Sequence, residues 1–187
     1  MSITTVHRSD GSGDTFAFTN YLHHVSHSWA KKIGPAATSV SWPNGVAEDG
    51  NGGVVSEIKA TPGSIGYAAV FYLISQKVDA AMVKNSAGKY EFPNLNNIAN
   101  AARGVKHVPH NGVISLVDPP KRDKIAYPIS TFTYVIAPKS GNKQAGLLKS
   151  FIDYAVGPGQ SFAEKLDFVP LPKVVVKADK RFVKGLH

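Results

Sequence analysis

Residues 6–16 read Val6-His7-Arg8-Ser9-Asp10-Gly11-Ser12-Gly13-Asp14-Thr15-Phe16, a polar turn between an extended and a helical segment. The preceding residues, Ile3 to Val6, predict a short strand. The apolar residues after the turn recur at intervals of four, three and four, which predicts one helix face made of Phe18, Leu22, Val25 and Trp29. We therefore expect the turn to open a helix.

This turn has the residue types that bind an oxyanion. The first amides of a helix lack intrahelical acceptors, and the helix dipole is positive at that end. Gly11 and Gly13 are expected to adopt positive φ and let the backbone approach a ligand closely. Ser12 and Thr15 offer hydroxyl donors, and the planar guanidinium of Arg8 suits a tetrahedral oxyanion.

An ordinary structural role explains the same residues. Asp-Gly-Ser-Gly is common turn chemistry, and either Ser12 or Asp14 can cap the helix. From spacing alone, anion binding and simple capping stay equally open.

Composition limits the class of protein. The chain has 187 residues, 43% of them hydrophobic, and no cysteine, which excludes disulfides, thiolate metal sites and cysteine nucleophiles. No apolar run approaches the roughly 20 residues of a membrane span, and Met1 to Thr5 lack the layout of a secretory signal. The net charge of +8 favours anionic partners, although no nucleic-acid motif is present. The most basic segment has apolar Val174, Ala178 and Phe182 every four residues, which indicates an amphipathic helix with a solvated basic face.

Strand-like and helix-like segments alternate along the rest of the chain. Strands are predicted at Thr38–Trp42, Ser64–Tyr67, Ala80–Lys84, Ile114–Val117 and Tyr127–Ala137. Helices are predicted around Val54–Ile58, Asn97–Ala102 and Leu147–Ala155, and we favour a helix over a strand for Ala68–Gln76. This alternation predicts an α/β protein with helices packed on a sheet.

Several blocks of the chain resemble the phosphate-binding receptor of bacterial and archaeal ABC phosphate importers. They occur in the family order over nearly the whole chain: His7 to Gly13, Phe16 to Leu22, Trp42-Pro43, Gly50-Asn51-Gly52-Gly53, Thr61 to Tyr67, Tyr127-Pro128-Ile129 and Leu166 to Pro172. Agreement of independent blocks in order and spacing is more specific than a single turn motif. The similarity is to the C-terminal part of such receptors.

The resemblance implies a type II periplasmic-binding-protein fold, in which two α/β lobes close on the ligand. It implies non-catalytic binding of inorganic phosphate, an ABC permease in the membrane as partner, an extracytoplasmic location and no cofactor or metal. Asp10 would hold the Arg8 fork in position. The expected phosphate site, with the turn residues around these two, is Arg8, Asp10, Gly11, Ser12, Gly13, Asp14 and Thr15.

The chain departs from the family pattern in two respects. Asp14 stands where the family commonly has threonine, and a carboxylate beside an anion is unfavourable without a proton or cation. Asp14 either accepts a hydrogen bond from monohydrogen phosphate while repelling sulfate, which has no proton to donate, or it caps the helix and contacts the edge of Arg8.

The second departure is length, because the N-terminal half of the family's receptors is absent. By resemblance, residues 1–126 are part of the second lobe, and residues 127–187 are the crossover strand and the return into the first. The incomplete two-lobe architecture predicts weak phosphate binding by this chain alone. The absent half would come from the same precursor or a separate chain, and the alternative is a degenerate structural module with little or no ligand binding.

Other candidate sites are less well supported by the sequence. Ser12 lacks the Gly-x-Ser-x-Gly context and an assigned base, so we expect no enzymatic activity. His23, His24 and His27 have one helical-turn pair but no completing ligand, and we expect a solvent-facing cluster. The tyrosines at positions 67, 72 and 90 are expected to be packing residues.

Overall fold

The computed structural model describes residues 2–187. Its helices are α1 (Gly13–Val25), α2 (His27–Lys32), α3 (Gly50–Ala60), α4 (Val70–Gln76), α5 (Leu95–Arg103), α6 (Ala145–Val156) and α7 (Lys173–Lys184). Its strands are β1 (Thr4–Arg8), β2 (Val46–Glu48), β3 (Ser64–Gly66), β4 (Val83–Lys84) and β5 (Tyr90–Glu91). Two 3-10 turns, Pro158–Phe162 and Glu164–Leu166, connect α6 to the segment before α7.

A parallel sheet with strand order β2-β1-β3 lies under helix α3. In register, Val6 is opposite Val46 on one side and Gly66 on the other. Val6 and Val54 are fully buried, and an ideal Cβ at Gly66 would lie 3.2 Å from the Val54 side chain. The apolar side chains between α3 and this sheet therefore form a core, and this core supports the carboxyl ends of all three strands. The separate pair β4 and β5 is antiparallel.

Most of the predicted helices are confirmed. The turn at residues 9–12 opens α1, and helices occur where the sequence predicted them around Val54–Ile58, Ala68–Gln76, Asn97–Ala102 and Leu147–Ala155. Periodic apolar residues and turn residues at the ends specify these elements locally.

The predicted apolar face of the first helix is confirmed only in part, since Phe18, Leu22 and Trp29 are partly buried, but the single helix that was to carry it is not. The helix ends at Val25, and Ser26 caps a second helix by accepting the N–H of Trp29. Val25 is 51% exposed, and the residues of α1 that are buried are Thr15, Ala17, Thr19 and Tyr21. Packing against neighbouring segments therefore selects a face that also carries small and hydroxyl side chains.

Several predicted strands are also corrected. Thr38–Trp42 is not a strand, and the strand beside β1 is β2, a few residues later. Ile114–Val117 and Tyr127–Ala137 form no strand in the described chain, although Tyr127–Ala137 is rich in β-branched and aromatic residues. Ile136 is 96% exposed. A strand needs a continuous ladder of hydrogen bonds to a neighbouring strand, whereas the backbone bonds described here are isolated ones, from Tyr127 to Asn97 and from Asp118 to Pro128.

The C-terminal helix is confirmed, with a buried face that includes Val174 and Ala178 as predicted but has Val175 and Val183 in place of Phe182. Val175 and Ala178 pack with Val108 in a buried cluster, whereas Phe182 is partly exposed. The basic residues of α7 lie on the solvent side, as predicted: Lys173, Lys177, Lys180, Arg181 and Lys184. None of the helices formed by residues 2–187 combines the length and apolarity that a membrane crossing needs.

Replacing Gly66 by alanine is expected to destabilise the sheet. The new Cβ would lie 2.8 Å from the carbonyl oxygen of Val6 and 2.9 Å from Ile58 Cδ1, so β3 has to shift. We expect the free energy of unfolding to fall by about 1–3 kcal/mol, measured by urea denaturation. The control is Gly146→Ala in α6, where a Cβ meets nothing within 4 Å. Equal stability of Gly66→Ala and Gly146→Ala would contradict this packing.

Candidate anion-binding site

The candidate site lies at the carboxyl edge of the parallel sheet. β1 ends at Arg8, β2 ends at Glu48 just before α3, and β3 ends at Gly66 just before Tyr67. Helices α1 and α3 both begin at this edge. In open α/β sheets the carboxyl ends of the strands are where ligands bind, because loops and helix N-termini converge there.

Arg8 is held by Asp10 through a two-point ion pair. Arg8 Nε donates to Asp10 Oδ1 over 2.5 Å, and Nη2 donates to Oδ2. The N–H of Gly50, at the start of α3, donates to the same Oδ1 over 3.2 Å. The bond from Arg8 holds the pKa of the Asp10 carboxyl well below its usual range, and it raises the pKa of Arg8. Both groups therefore stay ionised, with the guanidinium plane fixed in one orientation.

Asp14 approaches the remaining edge of the guanidinium. Its Oδ2 lies 3.5 Å from Arg8 Nη1 and accepts a hydrogen bond from Asn51 Nδ2 over 2.9 Å. Asn51 in turn accepts the N–H of Ala69. Asp14 thus contacts the edge of Arg8, as one of the two interpretations of this residue expected, and Asn51 ties the starts of α1 and α3 together.

Ser12, and not Asp14, is the side chain that caps α1. The buried Ser12 hydroxyl accepts the N–H groups of Asp14 and Thr15 over 3.1 and 3.4 Å, and the Ser12 N–H donates to the carbonyl of Thr38. These amides are therefore already hydrogen bonded within the chain. The Gly13 N–H has no acceptor among residues 2–187.

The two glycines of the turn do not have the expected backbone conformation. Neither Gly11 nor Gly13 is at positive φ. A Cβ on Gly13 would meet nothing within 4 Å, and one on Gly11 would meet only the Thr38 hydroxyl at 3.9 Å. Their structural contribution is an open surface at the mouth of the turn, which leaves space for a ligand.

Tyr67 is a component of the site and not only a packing residue. Its hydroxyl accepts the backbone N–H of Arg8 over 3.1 Å and lies 2.7 Å from the Thr15 hydroxyl. Thr15 is 1% exposed, so its hydroxyl is held inside the fold. Of the other tyrosines, Tyr72 is half-buried against Phe71, whereas Tyr90 is exposed.

The structure thus brings all seven predicted residues to one edge and adds three that were missed. The added residues are Gly50, Asn51 and Tyr67. Each follows a strand that is parallel to β1, and this position is the signal that identifies them. Because the strand was predicted at Thr38–Trp42 and not at Val46–Glu48, Gly50 and Asn51 were not recognised as residues that follow a strand.

The histidines of the first helix do not form a metal site in the structure. His23 bonds to the carbonyl of Gly34, and the exposed His24 bonds to that of Asn20. Across residues 2–187, no group of three or more His, Cys, Asp or Glu side chains is arranged to hold a metal ion.

The sequence matches a family model described as a PBP superfamily domain over residues 1–158, which includes the site. Among curated proteins, the chain is 38% identical to the phosphate-binding protein PstS of Xylella fastidiosa, over 94% of this chain and 48% of that protein. It is 35% identical to PstS of Methanocaldococcus jannaschii, over 94% of this chain and 49% of that protein. The chain spans about half the length of the curated relatives it matches.

A solved structure supports the same fold. The chain superimposes with a TM-score of 0.73 on a high-affinity periplasmic phosphate-binding protein bound with phosphate, covering 97% of this chain and 57% of that one. Their sequence identity is 22%, so this likeness shows the fold. The predicted α/β fold of the periplasmic-binding-protein type is therefore confirmed, and the chain belongs to the PBP superfamily.

Proposed function

We propose that this chain binds inorganic phosphate non-covalently, as part of the substrate-binding component of an ABC phosphate importer. The observation that carries this proposal is a guanidinium fixed by a carboxylate where α1 and α3 begin, at the carboxyl edge of the sheet. The names of the similar proteins support phosphate as the anion. An extracytoplasmic location and delivery to a membrane permease complete the proposal.

In this proposal, the anion binds in front of Arg8 and the open turn. Asp10 occupies Nε and Nη2, so Nη1 is the guanidinium nitrogen directed toward the ligand. The Gly13 N–H and the positive ends of α1 and α3 add favourable electrostatic interactions. Asp14 accepts a hydrogen bond from the ligand, which monohydrogen phosphate can donate near neutral pH and sulfate cannot.

A degenerate module with little ligand binding is the second candidate function. Two carboxylates contact Arg8, and the Ser12 side chain occupies two of the first amides of α1. Donors that are already hydrogen bonded within the chain bind an external anion less strongly.

We further propose that a second polypeptide segment completes the ligand cleft. Residues 1–126 would form part of one lobe, and residues 127–187 would be the crossover segment, which is not a strand in this chain, and the return into the other lobe. Exposed apolar residues support this interpretation, because Val135 and Ile136 lie in an unpaired segment and Leu147, Phe151 and Tyr154 form one exposed face of α6. Such a surface is typical of an interface. The relatives have about the additional length that a second half requires.

Removal of the Arg8 side chain tests the proposed function. We expect isothermal titration calorimetry to show millimolar phosphate affinity for the wild-type chain, because half of the cleft is open to solvent. Arg8→Ala should weaken this binding about ten- to a hundred-fold, since it removes a charged donor. The matched control is the exposed Arg122, whose alanine variant should bind like the wild type. Absence of binding at millimolar phosphate would favour the degenerate module.

The role of Asp14 is tested by Asp14→Asn. Two like charges about 4 Å apart in water repel by about 1 kcal/mol, so loss of this charge should strengthen sulfate binding about five-fold. Phosphate should gain less, because the variant also replaces the charged acceptor of the phosphate hydrogen bond by a weaker, neutral amide oxygen. Competition titrations with both anions measure the ratio. An equal change for phosphate and sulfate would show that Asp14 acts only on Arg8.

The completing segment is tested by mixing this chain with the half of the Xylella fastidiosa relative that it does not match. We expect a one-to-one complex in light scattering and tighter phosphate binding than the chain has alone. Phe151→Ser on the exposed face of α6 should weaken the complex, whereas Phe71→Ser on α4 should not. If Phe151→Ser associates as well as the wild type, this face is not the interface.

A further inference from the structure

Arg8 is the last residue of β1 and lies beyond the end of β3, one of the two strands that pair with β1. β3 ends at Gly66, opposite Val6, so the last residue of β1 has no strand partner on that side. The Arg8 N–H instead donates to the Tyr67 hydroxyl over 3.1 Å. A side chain therefore takes the place of the missing ladder bond, which a buried donor needs.

The same hydroxyl also contacts the first turn of α1. The Tyr67 oxygen accepts the N–H of Arg8 and lies 2.7 Å from Thr15 Oγ1, so the two hydroxyls share a hydrogen bond in which either can donate. One group is thus bonded to both ends of the turn at residues 8–15. Neither end can move away from the other without breaking one of these bonds.

The Tyr67 ring is itself fixed by aromatic packing. It stacks on Phe18 of α1, with ring centroids 4.8 Å apart, and on Trp42 at 5.9 Å. Trp42 stacks in turn on His7 of β1 at 4.8 Å. The hydroxyl is therefore presented from a ring that is held by both elements flanking the turn.

We infer that Tyr67 is a positioning residue for anion binding. Its hydroxyl sets the separation between the root of the Arg8 side chain and the start of α1, and it does so without touching the ligand. Since the guanidinium and the Gly13 N–H must reach one anion together, a change in this separation weakens binding. This inference rests on the proposed function and adds to it a positioning residue that lies outside the turn.

The test is phosphate calorimetry on Tyr67→Phe, Thr15→Val and the double variant, at a temperature where circular dichroism shows each to be folded. We expect each single variant to bind phosphate about five-fold more weakly, the effect of one lost hydrogen bond. The double variant should be no weaker than the weaker single variant, because both changes remove the same link. Thr15→Ser keeps the hydroxyl and should restore most of the affinity that Thr15→Val loses. The control is Tyr90→Phe, at an exposed tyrosine outside the site, which should retain the wild-type affinity.

A merely structural hydrogen bond gives a different result. In that case Tyr67→Phe lowers the thermal midpoint but leaves the phosphate affinity unchanged, which overturns the inference while the proposed function stands. Additive effects of the two single variants also overturn it. If Tyr67→Phe does not fold, the comparison of the phosphate affinities of Thr15→Val and Thr15→Ser tests the inference. An affinity of Thr15→Val equal to that of the wild type would then overturn it. A wild-type chain that binds no phosphate overturns the proposed function and this inference together.

Discussion

Parallel pairing on both edges of β1 is the constraint on which the rest of the structure depends. The strands on either side, β2 and β3, run in the same direction, so the three carboxyl ends meet at one edge of the sheet. Segments far apart in sequence are thereby placed around Arg8: the turn before α1, the start of α3 and Tyr67. Burial of Val6 and Val54 beneath this edge keeps the arrangement in place.

The two carboxylates at this edge, Asp10 and Asp14, contact Arg8 in different ways. Asp10 orients the guanidinium through two bonds and is itself stabilised by the Gly50 N–H, so the pair is well matched in geometry. Asp14 is less tightly engaged, at 3.5 Å from Arg8. In the proposed function, an anion would therefore compete with Asp14 more readily than with Asp10 for the guanidinium. The proposed role of Asp14 would favour anions that can donate a hydrogen bond to it.

Exposed apolar residues occur along the whole chain, and the second half has a group of them on α6 and in the unpaired segment before it. Residues 2–66 bury their sheet under α3, whereas Ile136 and the α6 residues Leu147 and Phe151 face solvent. Val108, Val175 and Ala178 form a separate buried cluster in this half of the chain. A surface that is apolar on the outside, in a chain about half as long as its relatives, is consistent with the proposed completing segment.

The sequence by itself determined the helices, the polar turn and the family resemblance, because helical hydrogen bonds and caps join residues that are close along the chain. It identified Arg8 and Asp10, whose bond spans two residues. Only the tertiary structure decided that β2 lies at Val46–Glu48, that Tyr127–Ala137 is unpaired and that Tyr67 belongs to the site. Strand pairing and side-chain bonds between distant segments depend on which partners the whole fold brings together. Local residue patterns do not identify those partners.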